Sequence, residues 1–306
     1  MPAPVKKSSV NRSPAKPRAA ATIILVREQG GALGVYLMQR SLKSSFMGGN
    51  HVFPGGKVDG EDSEVSFWAL RGDIPRDALA ARLHDPSEGL ALLPYAVAAI
   101  RETWEEAGVL LADLPNGDSD LLERLQAQRE GRTLAPAWLR TQLTSQKGAL
   151  AYSALWPWSH WIAPEAMKQR FDTRFFIAFM PPGQTCRPDP RETPRGRWMT
   201  PREALEVNVQ GKLFLSPPTL VTLHTLLEYT SLEALQSALP RPGWGPALMP
   251  KMCFPKVGPM VIQPWDPAYD APESSLPESE ADLALLSVGE AFSRLWNDGG
   301  TWRPVA

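Results

Sequence analysis

Apolar positions along the chain fall into two rhythms. Runs of apolar residues bounded by glycine, proline or asparagine read as strands. These are Ala21 to Val26, closed by a Gly30-Gly31 turn, then Gly34 to Gln39, the short run His51-Val52-Phe53 and, far downstream, Phe171 to Met180. Leu110-Leu111 reads as a further short strand. Apolar residues recurring every three or four positions read as helices. They run over Tyr95 to Ala107, Leu121 to Glu130, Pro136 to Gln146 and Thr219 to Tyr229, with a last helix expected over Asp282 to Trp296. Shorter helical stretches surround Glu64–Arg71 and Arg76–Leu83. Thr200 and Glu203 have the spacing of a capping box. Leu42 to Asn50 reads as a loop, Pro115-Asn116-Gly117-Asp118 as a turn, and residues 240–280 as Pro-rich and irregular.

The helix over Tyr95 to Ala107 has Pro94 at its start and Gly108 at its end, where each is well tolerated. At about 100° per residue, Val97, Ile100, Trp104 and Ala107 share one side. Ala98, Glu102, Glu105 and Glu106 share the other. Like charges at neighbouring helical positions repel by a few tenths of a kcal/mol, roughly, per pair. Arg101 is placed to relieve part of this by pairing with Glu105. A solvated acidic face would tolerate the rest, and a hard divalent cation would neutralise it.

Upstream stands Phe53-Pro54-Gly55-Gly56-Lys57-Val58-Asp59-Gly60-Glu61-Asp62, in which the paired glycines permit close backbone approach. Together the two stretches resemble the Nudix box, Gly-x5-Glu-x7-Arg-Glu-U-x-Glu-Glu-x-Gly-U, with U bulky and apolar. Gly56 matches its first position, and Arg101, Glu102, Thr103, Glu105, Glu106, Gly108 and Val109 match its second half, Thr103 being an imperfect U. The chain departs from the pattern twice. Asp62 stands where the pattern has glutamate, and 39 positions separate Asp62 from Arg101, so an insert of about residues 63–92 lies inside the box. A box split in this way resembles the peroxisomal CoA and acyl-CoA diphosphatases of mammals and their bacterial relatives. Gln39-Arg40-Ser41, the stretch Phe46 to Phe53 and the stretch Arg170 to Phe176 look like that branch too, and the resemblance runs from about Thr22 to Glu228.

The resemblance implies an α/β fold: an α/β/α sandwich with a mixed sheet, a helical insert inside the box and extra C-terminal helices. It implies a Nudix domain over residues 21–240, preceded by a disordered basic tail over 1–20 and followed by a Pro-rich segment with a C-terminal helix over 241–306. Its expected activity is hydrolysis of a diphosphate linkage, CoA or acyl-CoA giving 3′,5′-ADP and 4′-phosphopantetheine or its acyl form. NADH, ADP-ribose and nucleotide sugars are alternative substrates, and a Nudix-like binding module without turnover is the alternative of another class. Mg²⁺ or Mn²⁺ would be held by Glu102, Glu105, Glu106 and Gly56. Arg101 would clamp the carboxylates, and Glu192, on a distal loop, would supply a further acid to the chemistry. Gly55, Arg40, His51 and Arg174 would contact substrate. Arg40 and Arg174 suit phosphate because a guanidinium presents a planar fork to its oxygens. Asp172 would orient Arg174; a cross-strand salt bridge is the plainer reading of that face, and a hydrogen-bonded structural role the plainer reading of His51. The aromatic cluster Leu155 to Trp161 suits either a core or the stacking of an adenine.

Composition narrows the setting. A net charge of −1 supplies no field for nucleic acid or an anionic membrane; the partner that the resemblance implies is a small nucleotide, with a homodimer also compatible. Two cysteines without metal-binding spacing, Cys186 and Cys253, point to a reducing compartment, and the expected location is a cytoplasm.

Overall fold

The computed structural model describes residues 14–43, 48–84, 90–115, 120–130, 133–239, 243–272, 277 and 279–306. Most of the basic tail, Phe46-Met47, the centre of the Pro115–Asp118 turn and the loop closing the insert lie outside the described residues. In chain order the elements are β1 Arg18–Gln29, β2 Ala32–Gln39, β3 His51–Val52, β4 Gly55–Lys57, α1 Val65–Trp68, α2 Arg76–Leu83 and α3 Leu93–Ala107. Next come β5 Ala112–Asp113, α4 Leu121–Arg129, α5 Trp138–Ser145, β6 Ala149–Leu150, β7 Trp156–Ile162, β8 Phe171–Phe179 and β9 Arg195–Met199. The rest are α6 Pro201–Val209, α7 Pro217–Leu226, α8 Leu232–Ala238, β10 Lys251–Cys253, β11 Met260–Ile262, β12 Arg294–Asp298 and β13 Thr301–Val305.

β1 organises the seven-stranded sheet, whose main path is β3-β2-β1-β8-β7, with β4 on β1 and β9 on β2. Its pairing with β8 is parallel, from Arg18 opposite Phe171 to Val26 opposite Phe179, while its neighbours β2 and β4 are antiparallel, so the sheet is mixed. Alternation along β1 divides the core, as the two-residue period of a strand requires. Ala21, Ile23 and Leu25 join Val97, Ile100 and Trp104 of α3 on one face. Ile24 and Val26 join Ala204 and Leu205 of α6, Leu220 and Leu223 of α7 and Leu235 of α8 on the other. Burying both faces explains why β1 reads as a continuous apolar run. The result is the expected α/β/α sandwich.

Two expectations are corrected. Leu110-Leu111 is not a strand; the Gln184 side chain takes the place of a partner strand, accepting from the Leu110 N–H at 2.9 Å and donating to its carbonyl at 2.9 Å. The Leu155–Trp161 cluster is largely β7, an edge strand of the sheet, and Leu155, Trp158 and Trp161 are buried in the core, as the core reading expects. The expected helix over Asp282–Trp296 does not form. Gly289 adopts φ 99°, outside any helix, and Arg294 to Trp296 enter β12. β10 to β13 form a separate four-stranded antiparallel sheet, so residues 241–306 carry strands instead of a C-terminal helix. That sheet packs on the α6–α8 face through Val261, Leu295 and Trp302, and Asn208 of α6 donates to the Trp302 carbonyl at 3.0 Å.

Candidate active site

α3 carries most of the charged side chains. Its apolar stripe draws it against the sheet, so Glu102 and Glu106 meet β4 while Glu105, partly exposed, meets Arg101 and Trp138 of α5. Glu106 is 5% exposed and Trp104 is 1% exposed, which rules out a solvated acidic face. The helix ends at Gly108 with φ 68°, the left-handed cap that glycine adopts without penalty. Beyond that cap, its last carbonyls are closed by other parts of the chain. Arg187 N–H donates to Ala107 at 2.7 Å, Asp189 N–H to Glu106 at 2.9 Å, and the buried Arg129 guanidinium to Glu105 at 3.0 Å. A cation at a helix C-terminus is electrostatically favourable. The same contacts dock the loop that carries Glu192.

The two halves of the split box meet. The Gly55 N–H donates to Glu106 Oε2 at 2.9 Å. A Cβ on Gly56 would lie 2.3 Å from Glu102 Oε1, so only glycine lets that carboxylate come so near the strand. Arg101 is buried and binds across the insert. Its Nε and Nη2 donate to Asp62 at 2.9 and 2.8 Å, its Nη1 donates to Glu102 at 2.9 Å and Glu105 at 3.0 Å, and its Nη2 also reaches the Lys57 carbonyl. Burial alone would lower the Arg101 pKa, but the bond to Asp62 and the fields of Glu102 and Asp62 outweigh it and hold the guanidinium charged. Asp62, which sequence reading left as a departure from the pattern, is therefore the buried partner of Arg101.

One guanidinium is hydrogen-bonded to three carboxylates and has Asp59 at 3.7 Å as a fourth, and Glu106 adds a fifth. These carboxylates outnumber the guanidinium, and burial raises the proton affinity of two of them. Burial pushes Glu106 well above the usual carboxylate range, with Glu102 adding to it. Burial also raises Glu102, against the pull of Arg101. Such oxygen donors suit a hard divalent cation. Among the described residues no group of three acidic, His or Cys side chains is placed to hold a metal ion, and both oxygens of Glu105 accept from Arg101 and Trp138. The fit to Mg²⁺ or Mn²⁺ is one of charge and hardness alone, with Glu102, Glu105 and Glu106 as the residues that would hold it.

A cavity of about 480 Å³ opens from these glutamates. Arg40, Gly55, Gly56, Glu102, Glu106 and Glu192 all line it. Four predicted residues do not: Arg101 and Glu105, which stand behind it bonded to each other, and Arg174 and His51. Arg174 lies on the α3 side of β8, its guanidinium 5.1 Å from the Trp244 ring centre and 5.9 Å from that of Tyr95, whereas Phe171, Thr173 and Phe175 on the opposite side of β8 line the cavity. Asp172 accepts from His160 Nε2 at 2.6 Å and so does not orient Arg174 toward a ligand. His51 is buried against Leu215 and does not line the cavity, and burial, with Arg197 nearby, lowers its pKa to about 4. Trp138 of α5, which no pattern singled out, donates its indole N–H to Glu105 Oε1 at 2.9 Å.

Comparison with known proteins gives the family. Residues 16–226 match the family model of the NUDT19 Nudix domain. The chain is 30% identical over 233 residues to the acyl-coenzyme A diphosphatase NUDT19 of Xenopus laevis, covering 66% of this chain and 61% of that protein. It is 29% identical over 270 residues to the Gallus gallus protein of the same name, covering 71% and 70%. A Nudix hydrolase crystal structure from Alicyclobacillus acidocaldarius superposes with a TM-score of 0.57 at 25% identity, over 76% of this chain and 99% of that one.

Proposed function

The chain belongs to the Nudix hydrolase family, in its NUDT19 branch, and from that premise we propose that it hydrolyses the diphosphate linkage of CoA or acyl-CoA, releasing 3′,5′-ADP and 4′-phosphopantetheine or its acyl form. The observation that carries this reading is the closure of the split box: Gly56 against Glu102, Gly55 on Glu106, and Arg101 joining Asp62 to the helix. The relatives named acyl-coenzyme A diphosphatase supply the substrate class.

A diphosphate diester carries two negative charges that repel hydroxide. A divalent ion held by Glu102, Glu105 and Glu106 would shield that charge and acidify a bound water. The chain's own residues do the remaining work. Arg101 fixes the orientation of Glu102 and Glu105. The Gly55 N–H holds Glu106, and Trp138 holds the outer oxygen of Glu105. Arg40, on the cavity wall, offers its guanidinium to a phosphate. Glu192, exposed on the same wall, takes up the proton of the attacking water. The protein contributes position and electrostatics, which dominate phosphoryl chemistry generally. The free thiols of Cys186 and Cys253 agree with a cytoplasmic setting. Among the described residues no helix is long and apolar enough to cross a membrane.

The test is product release from CoA, acyl-CoA, NADH and ADP-ribose at equal concentration, with Mg²⁺ or Mn²⁺ and with excess chelator. Metal-dependent 3′,5′-ADP from CoA supports the proposal. Preference for NADH or ADP-ribose redirects the substrate, and no turnover of any of the four leaves a binding module.

A further inference from the structure

The cavity does not stop at the glutamates. From β4 it crosses the sheet over Thr22 of β1 and Phe175 and Thr173 of β8 to Trp161 of β7. That is three strand spacings of about 4.8 Å each, or roughly 14 Å. Its character changes along the way. The cations on its wall, Arg40 and Lys57, belong to the glutamate end, and the Lys57 carbonyl already touches Arg101. The far end is apolar, and part of its wall comes from outside the family-matched residues 16–226. Pro250, Met252 and Val261, on and beside β10 and β11, close it opposite Trp161 and Met167. The arrangement is fixed by backbone, since Ile162 N–H donates to Leu248 at 2.9 Å and Leu248 N–H to His160 at 2.8 Å.

Resting on the CoA reading above, we propose that this apolar end is the subsite for the acyl arm of a CoA thioester, and that the C-terminal sheet acts as its chain-length gauge. Charge chooses the occupant. CoA has two arms flanking its diphosphate. The nucleotide arm bears a 3′-phosphate of nearly two negative charges; the buried Arg170 beside the β7 end does not line the cavity and donates to the Ala163 and Ala15 carbonyls and Met249 Sδ, so a phosphate there would lack a lining cation. The pantetheine arm is uncharged, and its acyl extension is apolar. Methionines such as Met252 and Met167 are flexible enough to pack against chains of differing length.

The experiment uses the full chain with Mg²⁺ and measures kcat/KM for CoA, acetyl-, hexanoyl- and dodecanoyl-CoA. Burial of a methylene, at about 0.8 kcal/mol, corresponds to about fourfold. The value should therefore climb at least about tenfold from acetyl to hexanoyl and then level off where the β10–β11 wall is reached. In Met252→Trp the hexanoyl-to-CoA ratio should fall at least about tenfold. In Met252→Ala the levelling point should move to longer chains, which serves if the larger residue impairs folding. Dodecanoyl-pantetheine, which has no diphosphate, should compete with substrate in wild type and more weakly in Met252→Trp. If CoA is cleaved but the profile is flat and unmoved by both Met252 variants, the gauge is wrong and the diphosphatase reading stands. If 3′,5′-ADP binding, and not dodecanoyl-pantetheine binding, is what Met252→Trp weakens, the cavity houses the nucleotide. If neither CoA nor any thioester is cleaved while ADP-ribose is, both proposals fall together.

Discussion

Two neighbouring glycines should give opposite phenotypes, and the reason can be worked from what a methyl group would touch. On Gly56 a Cβ would stand 2.3 Å from Glu102 Oε1, 2.4 Å from its Cδ and 2.6 Å from its Oε2. Carbon needs about 3.5–4.0 Å, so the carboxylate must retreat by more than about 1 Å. It can do so, being the end of a side chain, and Gly56 needs no left-handed backbone, because it is absent from the glycines with positive φ. Gly56→Ala should therefore fold with little loss of thermal midpoint. A misplacement of about 1 Å costs about a hundredfold in turnover, and Glu102 is also pulled from the Arg101 bond at 2.9 Å. On Gly55 a Cβ would stand 2.4 Å from the Ala21 carbonyl oxygen and 2.7 Å from Thr22 Cα. Those are backbone atoms of β1 and cannot swing aside, so Gly55→Ala should strain the β1–β4 pairing and cost about 1–3 kcal/mol, as overpacking does. Urea melts and saturating-Mg²⁺ kinetics on both variants decide the matter. Wild-type turnover in a folded Gly56→Ala would show that Glu102 is not positioned by this glycine and would break the split-box argument.

Glu105→Gln and Glu106→Gln should each lower turnover at least about a hundredfold, since a lost metal ligand removes several kcal/mol of transition-state stabilisation. The metal-free thermal midpoint should hold or rise, and a midpoint falling by ten degrees would mean the carboxylates are structural. Asp62→Ala leaves the Nε of the buried Arg101 without its acceptor while Glu102 and Glu105 still balance the charge, and should destabilise by about 1–3 kcal/mol in a urea melt; no measurable loss would contradict this. Asp266, although buried, is held ionised by Arg294, Ser293 and the Ala268 N–H, which keep its pKa below the usual aspartate range. Its stabilisation is therefore complete above the unfolded aspartate pKa and is lost as pH falls through the lower folded value. The stability gap between wild type and Asp266→Asn should stay constant from neutral pH to about pH 5 and close only in stronger acid; a gap that opens on acidification would have the wrong sign.

Much of this site was readable before any coordinates, because its chemistry is written locally. Glu102, Glu105 and Glu106 share a helix side by periodicity, and Gly56 and Arg101 stand at fixed offsets from them, so a resemblance could find them despite the insert. Asp62 was legible by its offset from Gly56, though its bond to Arg101 was not. Trp138 and Arg129 carry no signal, since each reaches α3 from a helix whose own periodicity only reports packing. Alternation said that Arg174 and Thr173 point to opposite sides of β8, but not which side the cavity would occupy, and Arg174 was placed on the wrong one. The C-terminal sheet escaped because its strands are three to five residues long, too short to show a period of two. In the segment from Asp282 the apolar spacing imitated a helix until Gly289 ended it.

The division of the cavity between two parts of the chain sets an order in time. Every predicted residue at the glutamate end has left the ribosome's peptidyl-transfer centre once Glu192 is made, whereas β13 needs the 113 residues that follow, through Val305. At about 5–20 residues per second that interval is roughly 6–23 s. During it a nascent chain can assemble the charged end of its cleft while the wall built on β10 and β11 still lacks β12 and β13 beside it. An unfinished polypeptide would thus possess the cutting machinery before it possesses the means to choose what is cut.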